Sequence, residues 1–258
     1  MGGIVAFVFG LVFGSFLNVV ILRFDEWRTI LTGRSHCPDC RTDLRWYDLI
    51  PVISYATLKG RCRYCGRPIS WQYPVVETAT AFLLAGGYFL IFNTSSLTLA
   101  SQIGAFIAFI VAIGALVVMF FHDLKEMLIP DFFAYVLLFG AAIFSLLYYQ
   151  NPLHSLYGAL IGFLPVALLV YPSRGTWMGE GDLKLAAGLG LLAGYPNAIV
   201  FVSLAFVIGG VFGAILLLTK RAKLKTAVPF GPFLIIGGLL ALFWGTTAIA
   251  WYLGGMGL

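Results

Sequence analysis

Apolar residues along this chain run in long blocks, and short charged stretches separate the blocks. A window of about 19 residues finds seven clear apolar segments and one weak one. They lie near 3–22, 76–92, 101–121, 132–149, 154–171, 184–194, 198–218 and 230–251. A spanning helix needs about 20 mostly apolar residues. The pattern therefore predicts an all-α polytopic membrane protein with about eight transmembrane helices. The weak segment, 184–194, is short and carries Gly188, Gly190 and Gly194. It crosses only if it is packed inside protein or the bilayer is locally thin. The block 3–22 has no basic stretch before it and no small-residue cleavage site after it. It reads as a first span rather than a signal peptide.

Composition agrees with the pattern. The chain is 60% hydrophobic and 10% charged, against about 25% charged residues in a soluble domain. The charges also fix an orientation. If the chain starts outside and crosses eight times, the inside segments are 23–75, 122–131, 172–183 and 219–229. All 16 Lys and Arg then fall in or beside them: Arg23, Arg28, Arg34, Arg41, Arg45, Lys59, Arg61, Arg63 and Arg67, then Lys125, then Arg174 and Lys184, then Lys220, Arg221, Lys223 and Lys225. The positive-inside rule makes these loops cytosolic. The weak segment is needed as a crossing, because without it 219–229 falls on the wrong side. The net charge of +5 is then a cytosolic-face property suited to anionic lipid headgroups. With no separate basic domain, no nucleic-acid partner is expected. The predicted organisation is a first transmembrane helix at 1–22, a cytosolic insertion at 23–75, and a seven-helix membrane domain at 76–258.

The insertion, at about 50 residues, is too small to build much core unaided. It holds all four cysteines, paired as Cys37-Pro-Asp-Cys40 and Cys62-Arg-Tyr-Cys65. Two-residue spacing within each pair is that of a zinc knuckle, and four thiolates can surround one Zn²⁺ tetrahedrally. Two disulfides or four free thiols are the alternatives, and a reducing cytosol disfavours the disulfides. With four protein ligands, no position stays open for water, so the expected metal is structural.

Two acidic motifs lie at span ends. One is Phe121-His122-Asp123-Leu124-Lys125-Glu126-Met127-Leu128-Ile129-Pro130-Asp131, with Pro130 expected to open the fourth span. The other is Gly179-Glu180-Gly181-Asp182-Leu183-Lys184. An ionisable residue at membrane depth is a functional candidate by default. Two carboxylates brought together in a low-dielectric site share a proton. The ionised member can then activate water while the protonated member polarises a carbonyl and protonates a leaving amine. That is aspartyl peptidase chemistry. The bland alternative pairs Asp123 with Lys125 and Asp182 with Lys184 as interfacial charges. Charge placement alone does not rank Asp123 above Asp131.

Gly179-Glu180-Gly181-Asp182 resembles the Gly-x-Gly-Asp signature of intramembrane aspartyl peptidases. Four further segments resemble the bacterial type IV prepilin peptidase family: Gly14-Ser15-Phe16-Leu17-Asn18-Val19-Val20, the double Cys-x-x-Cys loop, Asp123 through Ile129-Pro130-Asp131, and Pro229-Phe230-Gly231-Pro232-Phe233. The resemblance spans essentially the whole chain, with the motifs in order. It implies a catalytic pair at Asp123 and Asp182, with Asp131 a neighbour. Gly179, Gly181, Lys184, Asp131, Pro229 and Gly231 are then expected to support the site. It further implies cleavage of the basic leader of prepilins or pseudopilins at the cytosolic face of the bacterial inner membrane. Glu126, Glu180 or Asp131 are candidates to hold that leader.

Many members of this family also methylate the new N-terminus using S-adenosylmethionine. The sequence itself shows no glycine-rich dinucleotide fingerprint. Gly60, Arg61 and Glu77 are the candidates toward the methyl donor, Glu77 as an acid that activates the amine. An acid favoured at a helix N-terminus is the other reading of Glu77. Asn18 is either interhelical glue or a substrate contact. Broken helix at Pro229, Gly231 and Pro232 is tolerated at membrane depth only where it lines a cavity or is buried in protein. The competing function is an ion-coupled transporter or channel using intramembrane aspartates, which calls for paired internal repeats that the chain does not display.

Overall fold

In the computed structural model, residues 1–24, 33–94, 96–220 and 228–255 are described. Arg28, Arg221, Lys223 and Lys225, part of the predicted cytosolic charge, lie outside them. Contacts divide the chain into two compact units, Met1–Phe89 and Leu90–Leu258. Among the described residues, seven helices are long and apolar enough to cross a membrane, and there are no strands. The chain is a multi-pass membrane protein.

The first unit contains α1 (Gly2–Leu22), a 3₁₀ turn (Trp46–Asp48), the short α2 (Ile53–Thr57), and most of α3 (Gln72–Phe92). Helices α1 and α3 approach closely along glycines. A Cβ on Gly10 would stand 2.5 Å from Ala81 Cα, and one on Gly14 would stand 2.8 Å from Glu77 Cα. Asn18 is 1% exposed. Its amide nitrogen donates to the carbonyls of Gly14 and Tyr73, at 3.4 and 3.2 Å. The amide thus bridges α1 to the start of α3, as interhelical glue would.

In the second unit, α4 (Leu99–Glu126), α5 (Asp131–Tyr148), α6 (Pro152–Ser173), α8 (Asn197–Leu218) and α9 (Gly231–Gly255) are long helices, and α7 (Glu180–Ala193) is short. Local chemistry sets several ends. Thr98 caps α4 by accepting from the Ser101 amide, and α4 stops where Met127 turns left-handed at φ 53°. Asn151 caps α6 with Pro152 in its first turn, a pairing that satisfies one amide and needs no other. Pro130 is the extended N-cap of α5, which begins at Asp131, so the proline sits one position before the helix it was expected to open.

Helix α7 is the weak segment, and it has 14 residues. At about 1.5 Å per residue it extends only about 21 Å, short of a hydrocarbon core of about 30 Å. It is covered on nearly every side by α5, α6, α8 and α9. Leu185 and Ala186 are fully buried, and Leu189, Leu192 and Ala193 are 1% exposed. Glycines permit this: a Cβ on Gly158 or Gly190 would collide with the other's carbonyl oxygen, and one on Gly162 with that of Ala186. At its far end, the Tyr149 hydroxyl donates to the carbonyls of Leu192 and Ala193, at 3.0 and 2.5 Å. Those last-turn carbonyls have no partner within the helix.

Candidate active site

Asp123 occupies the last turn of α4, and Asp182 the first turn of α7. Both are buried, at 5% and 8% exposure. They line one cavity of about 600 Å³ in the second unit, walled also by residues 127–131, 175–181 and 228–230. The short, deeply packed α7 therefore brings together two acids that are 59 positions apart in sequence.

Each carboxylate is held from a different direction. The Gly179 amide donates to Asp182 Oδ2 at 3.1 Å, a reach-back from the third helical position to the N-cap that fixes the side chain. Asp123 lies against Gly231 at the start of α9, where a Cβ would stand 2.6 Å from Asp123 Oδ2. The Gly231 backbone amide approaches the same carboxylate as a hydrogen-bond donor, and the group lines the cavity. Gly181 packs on Ile129, which a Cβ would approach to 2.8 Å.

Asp131 stands apart in its bonding. It accepts from Lys184 Nζ at 2.5 Å, with the lysine also 5.2 Å from the centre of the Tyr135 ring. The pair ties α7 to the start of α5. Lys184 thus pairs with Asp131, and no ion pair joins it to Asp182 among the described residues. Pro229 lines the cavity, as the broken entrance to the last span suggested. Trp177, Met178 and Phe230 also line it. Trp177 and Met178 lie in the predicted cytosolic segment 172–183 and carry no motif there, whereas Phe230 belongs to the motif at 229–233.

The four cysteines form a separate cluster in the first unit. Their Sγ atoms all lie within 4.8 Å of one another, and Cys37 Sγ is 3.9 Å from Cys65 Sγ. Tetrahedral Zn–S bonds of about 2.3 Å place sulfurs about 3.8 Å apart, so Cys37, Cys40, Cys62 and Cys65 fit a metal ion. The two knuckles are built alike. The Cys37 amide donates to Thr42 and the Arg41 amide to Cys37; the Cys62 amide donates to Arg67 and the Gly66 amide to Cys62. Arg41 and Gly66 occupy matching left-handed positions, at φ 54° and 69°. Between the knuckles, Asp48 accepts from Arg63 Nε at 2.7 Å and from the Tyr64 hydroxyl at 3.0 Å. Burial works against ionisation there, but these hydrogen bonds prevail and hold Asp48 below the usual carboxylate range.

Glu77 lies in α3 at 6% exposure. Its Oε2 accepts from the Val52 amide at 2.7 Å. Gly60 and Arg61 sit in the turn before Cys62, where Gly60 is left-handed at φ 68° and packs on Tyr55. The structure does not bring these two to Glu77's cavity wall.

Comparison with known proteins places this arrangement. Residues 8–91 match the bacterial peptidase A24 N-terminal domain, and residues 110–214 match the type IV leader peptidase family. A relative from Aeromonas salmonicida is 34% identical over 96% of this chain and 92% of its own. The chain belongs to the type IV leader peptidase family. Relatives from Bacillus subtilis and Legionella pneumophila are 32% and 31% identical, again over 96% of this chain and over 97% and 93% of theirs. All three relatives carry the name prepilin leader peptidase/N-methyltransferase. No solved structure matches the chain. The matched family segment contains both Asp123 and Asp182, while Gly231 lies beyond it. Nothing in these comparisons favours a transporter.

Proposed function

We propose that this chain is an intramembrane aspartyl peptidase of the leader peptidase family. It cleaves the basic leader of type IV prepilins or pseudopilins and then N-methylates the new N-terminus. The observation that carries the reading is the meeting of two buried carboxylates, Asp123 and Asp182, on one cavity. Sharing one proton, the pair divides the work. The ionised carboxylate takes a proton from the attacking water. The protonated one donates to the scissile carbonyl oxygen and later to the departing amine. Gly179 fixes the rotamer of Asp182, and Gly231 leaves room for Asp123. Asp131 and Lys184 neutralise each other beside the cavity and serve as positioning residues. Glu180 and Glu126, both exposed, remain as acids for a cationic leader.

The cysteine cluster is read as a structural zinc site, supported by its closed four-sulfur donor set. S-adenosylmethionine supplies the methyl group. The placement is the bacterial inner membrane with the aspartates at the cytosolic face, supported by the one-sided distribution of Lys and Arg. Membrane lipids and prepilins are the partners.

The test is cleavage of a model prepilin by purified Asp123→Asn and Asp182→Asn proteins in detergent. Removing a general acid or base costs about 10²–10⁴-fold, and each variant should fall by at least that while still inserting in the membrane. Wild-type cleavage by either variant rejects the assignment.

A further inference from the structure

One wall of the aspartate cavity is a loop of four residues, 127–130, between α4 and α5. Packing holds little of it, since Met127 and Leu128 are each 57% exposed. At its near end the Met127 amide donates to the Asp123 carbonyl at 3.0 Å, and at its far end the Pro130 carbonyl accepts from the Ala134 amide at 3.1 Å. Between these, His122 reaches across from the last turn of α4. Its Nδ1 lies 2.9 Å from the Leu128 carbonyl oxygen. A carbonyl only accepts, so the proton of this bond is on Nδ1.

The residue after that carbonyl, Ile129, touches the neighbours of both acids. A Cβ on Gly181 would stand 2.8 Å from Ile129 Cβ, and one on Gly231 would stand 3.3 Å from Ile129 Cδ1. Gly181 precedes Asp182 in α7, and Gly231 lies against Asp123 Oδ2 at the start of α9. Ile129 is thus a wedge between the two stretches of backbone that set where the carboxylates stand. It belongs to no helix itself, since α5 starts only at Asp131. A site supported by a loop is less precise than one built on helices unless something locks the loop. His122 is placed to be that lock: it adjoins Asp123 in sequence and fastens the backbone beside Ile129. The acid–base chemistry of the two aspartates gives it no other task.

We propose that His122 is a positioning residue of the peptidase. Its hydrogen bond to Leu128 keeps Ile129 wedged between Gly181 and Gly231, and so sets the separation of the two carboxylates. The proposal rests on the reading above that Asp123 and Asp182 cleave a peptide. Without the bond the loop swings outward and Ile129 withdraws. The carboxylates then lose their common reach on the water and the scissile carbonyl. The other cavity walls, at 175–181 and 228–230, still receive the substrate. Loss of alignment without loss of binding lowers kcat and leaves KM in place.

The experiment uses the full chain in detergent and a model prepilin, with kcat, KM and melting temperature measured for each variant. His122→Leu keeps bulk but donates nothing. Its kcat should fall by about 10–10²-fold, with KM and melting temperature little changed. His122→Asn keeps an N–H donor near the place of Nδ1 and carries no charge, and it should recover most of the loss. Ile129→Ala shortens the wedge and should lower kcat likewise. Adding His122→Leu to it should cost little more, because the two act through one contact. Wild-type kcat in His122→Leu overturns the proposal. So does a His122→Asn protein as slow as His122→Leu, which would trace the effect to the charge or shape of the imidazole. Fully additive losses in the double variant overturn it too, as does a fall in kcat that comes only with a fall in melting temperature. A wild-type chain that does not cleave, or an Asp123→Asn chain that cleaves as wild type, defeats the underlying peptidase reading instead.

Discussion

At Gly231, a single hydrogen in place of a methyl group decides whether Asp123 can face the cavity. A Cβ there would stand 2.6 Å from Asp123 Oδ2, far inside van der Waals contact. Gly231→Ala should displace that carboxylate by a few tenths of an ångström or more. Because misplacement of a reacting group by about 1 Å can cost 10²-fold, prepilin cleavage should fall by about 10–10²-fold with the protein still folded, as single-turnover kinetics would reveal. An unchanged rate would remove Gly231 from the site. Asp48 offers a test by pH. Its carboxyl is held below the usual range by Arg63 and Tyr64. A depressed native value stabilises the fold above the unfolded value of about 3.9 and stops doing so as pH falls through the native one. The stability advantage of wild type over Asp48→Asn should therefore be full at neutral pH and shrink only below about pH 4. Proteolysis of the region around residues 33–71 across that window reads it; an advantage lost nearer neutrality would point to another group. Gly231 is legible in the sequence, through the resembling motif and as part of the broken entrance to the last span, whereas Asp48 and Val52 carry no pattern at all, since their partners lie 15 and 25 positions away.

Helix α7 shows how an element becomes a positioning device. Its sequence is less apolar than the other spans and too short to cross unaided, so a crossing is expected only if it is packed inside protein or where the bilayer is thin. Its glycines allow α6 to approach so closely that backbone meets backbone. Length was legible, because hydropathy is local. The tightness was not, because it depends on Gly158 and Gly162 facing Gly190 and Ala186. The Tyr149 hydroxyl completes the helix by capping its last carbonyls. Tyr149→Phe removes those bonds and should destabilise the second unit by about 1 kcal/mol, seen as a lower melting temperature in detergent, with cleavage preserved. A loss of cleavage without a change in melting would contradict a purely capping role.

On the scale of the whole molecule, each compact unit carries its own cavity and its own chemistry. The first has the cysteine cluster, the second the aspartates. Metal analysis should find about one zinc per chain, since four thiolates complete a single tetrahedral site. Chelation should open the knuckles to protease, because metal binding energy is folding energy in so small a domain. Cys37→Ser should do the same without chelator. A metal-free preparation with intact protease resistance would refute a zinc staple.

The linear pattern by itself determined what depends on neighbours along the chain: where apolar blocks lie, which side the positive charges favour, and that two cysteine pairs have knuckle spacing. Those properties are summed over a window or read from a count. Only the tertiary structure decided that Asp123 and Asp182 share a cavity, that Lys184 answers Asp131, and that the Val52 amide meets Glu77. Each of these joins residues 25 to 59 positions apart, and such meetings are set by how closely helices can pack, a quantity that no one-dimensional pattern contains.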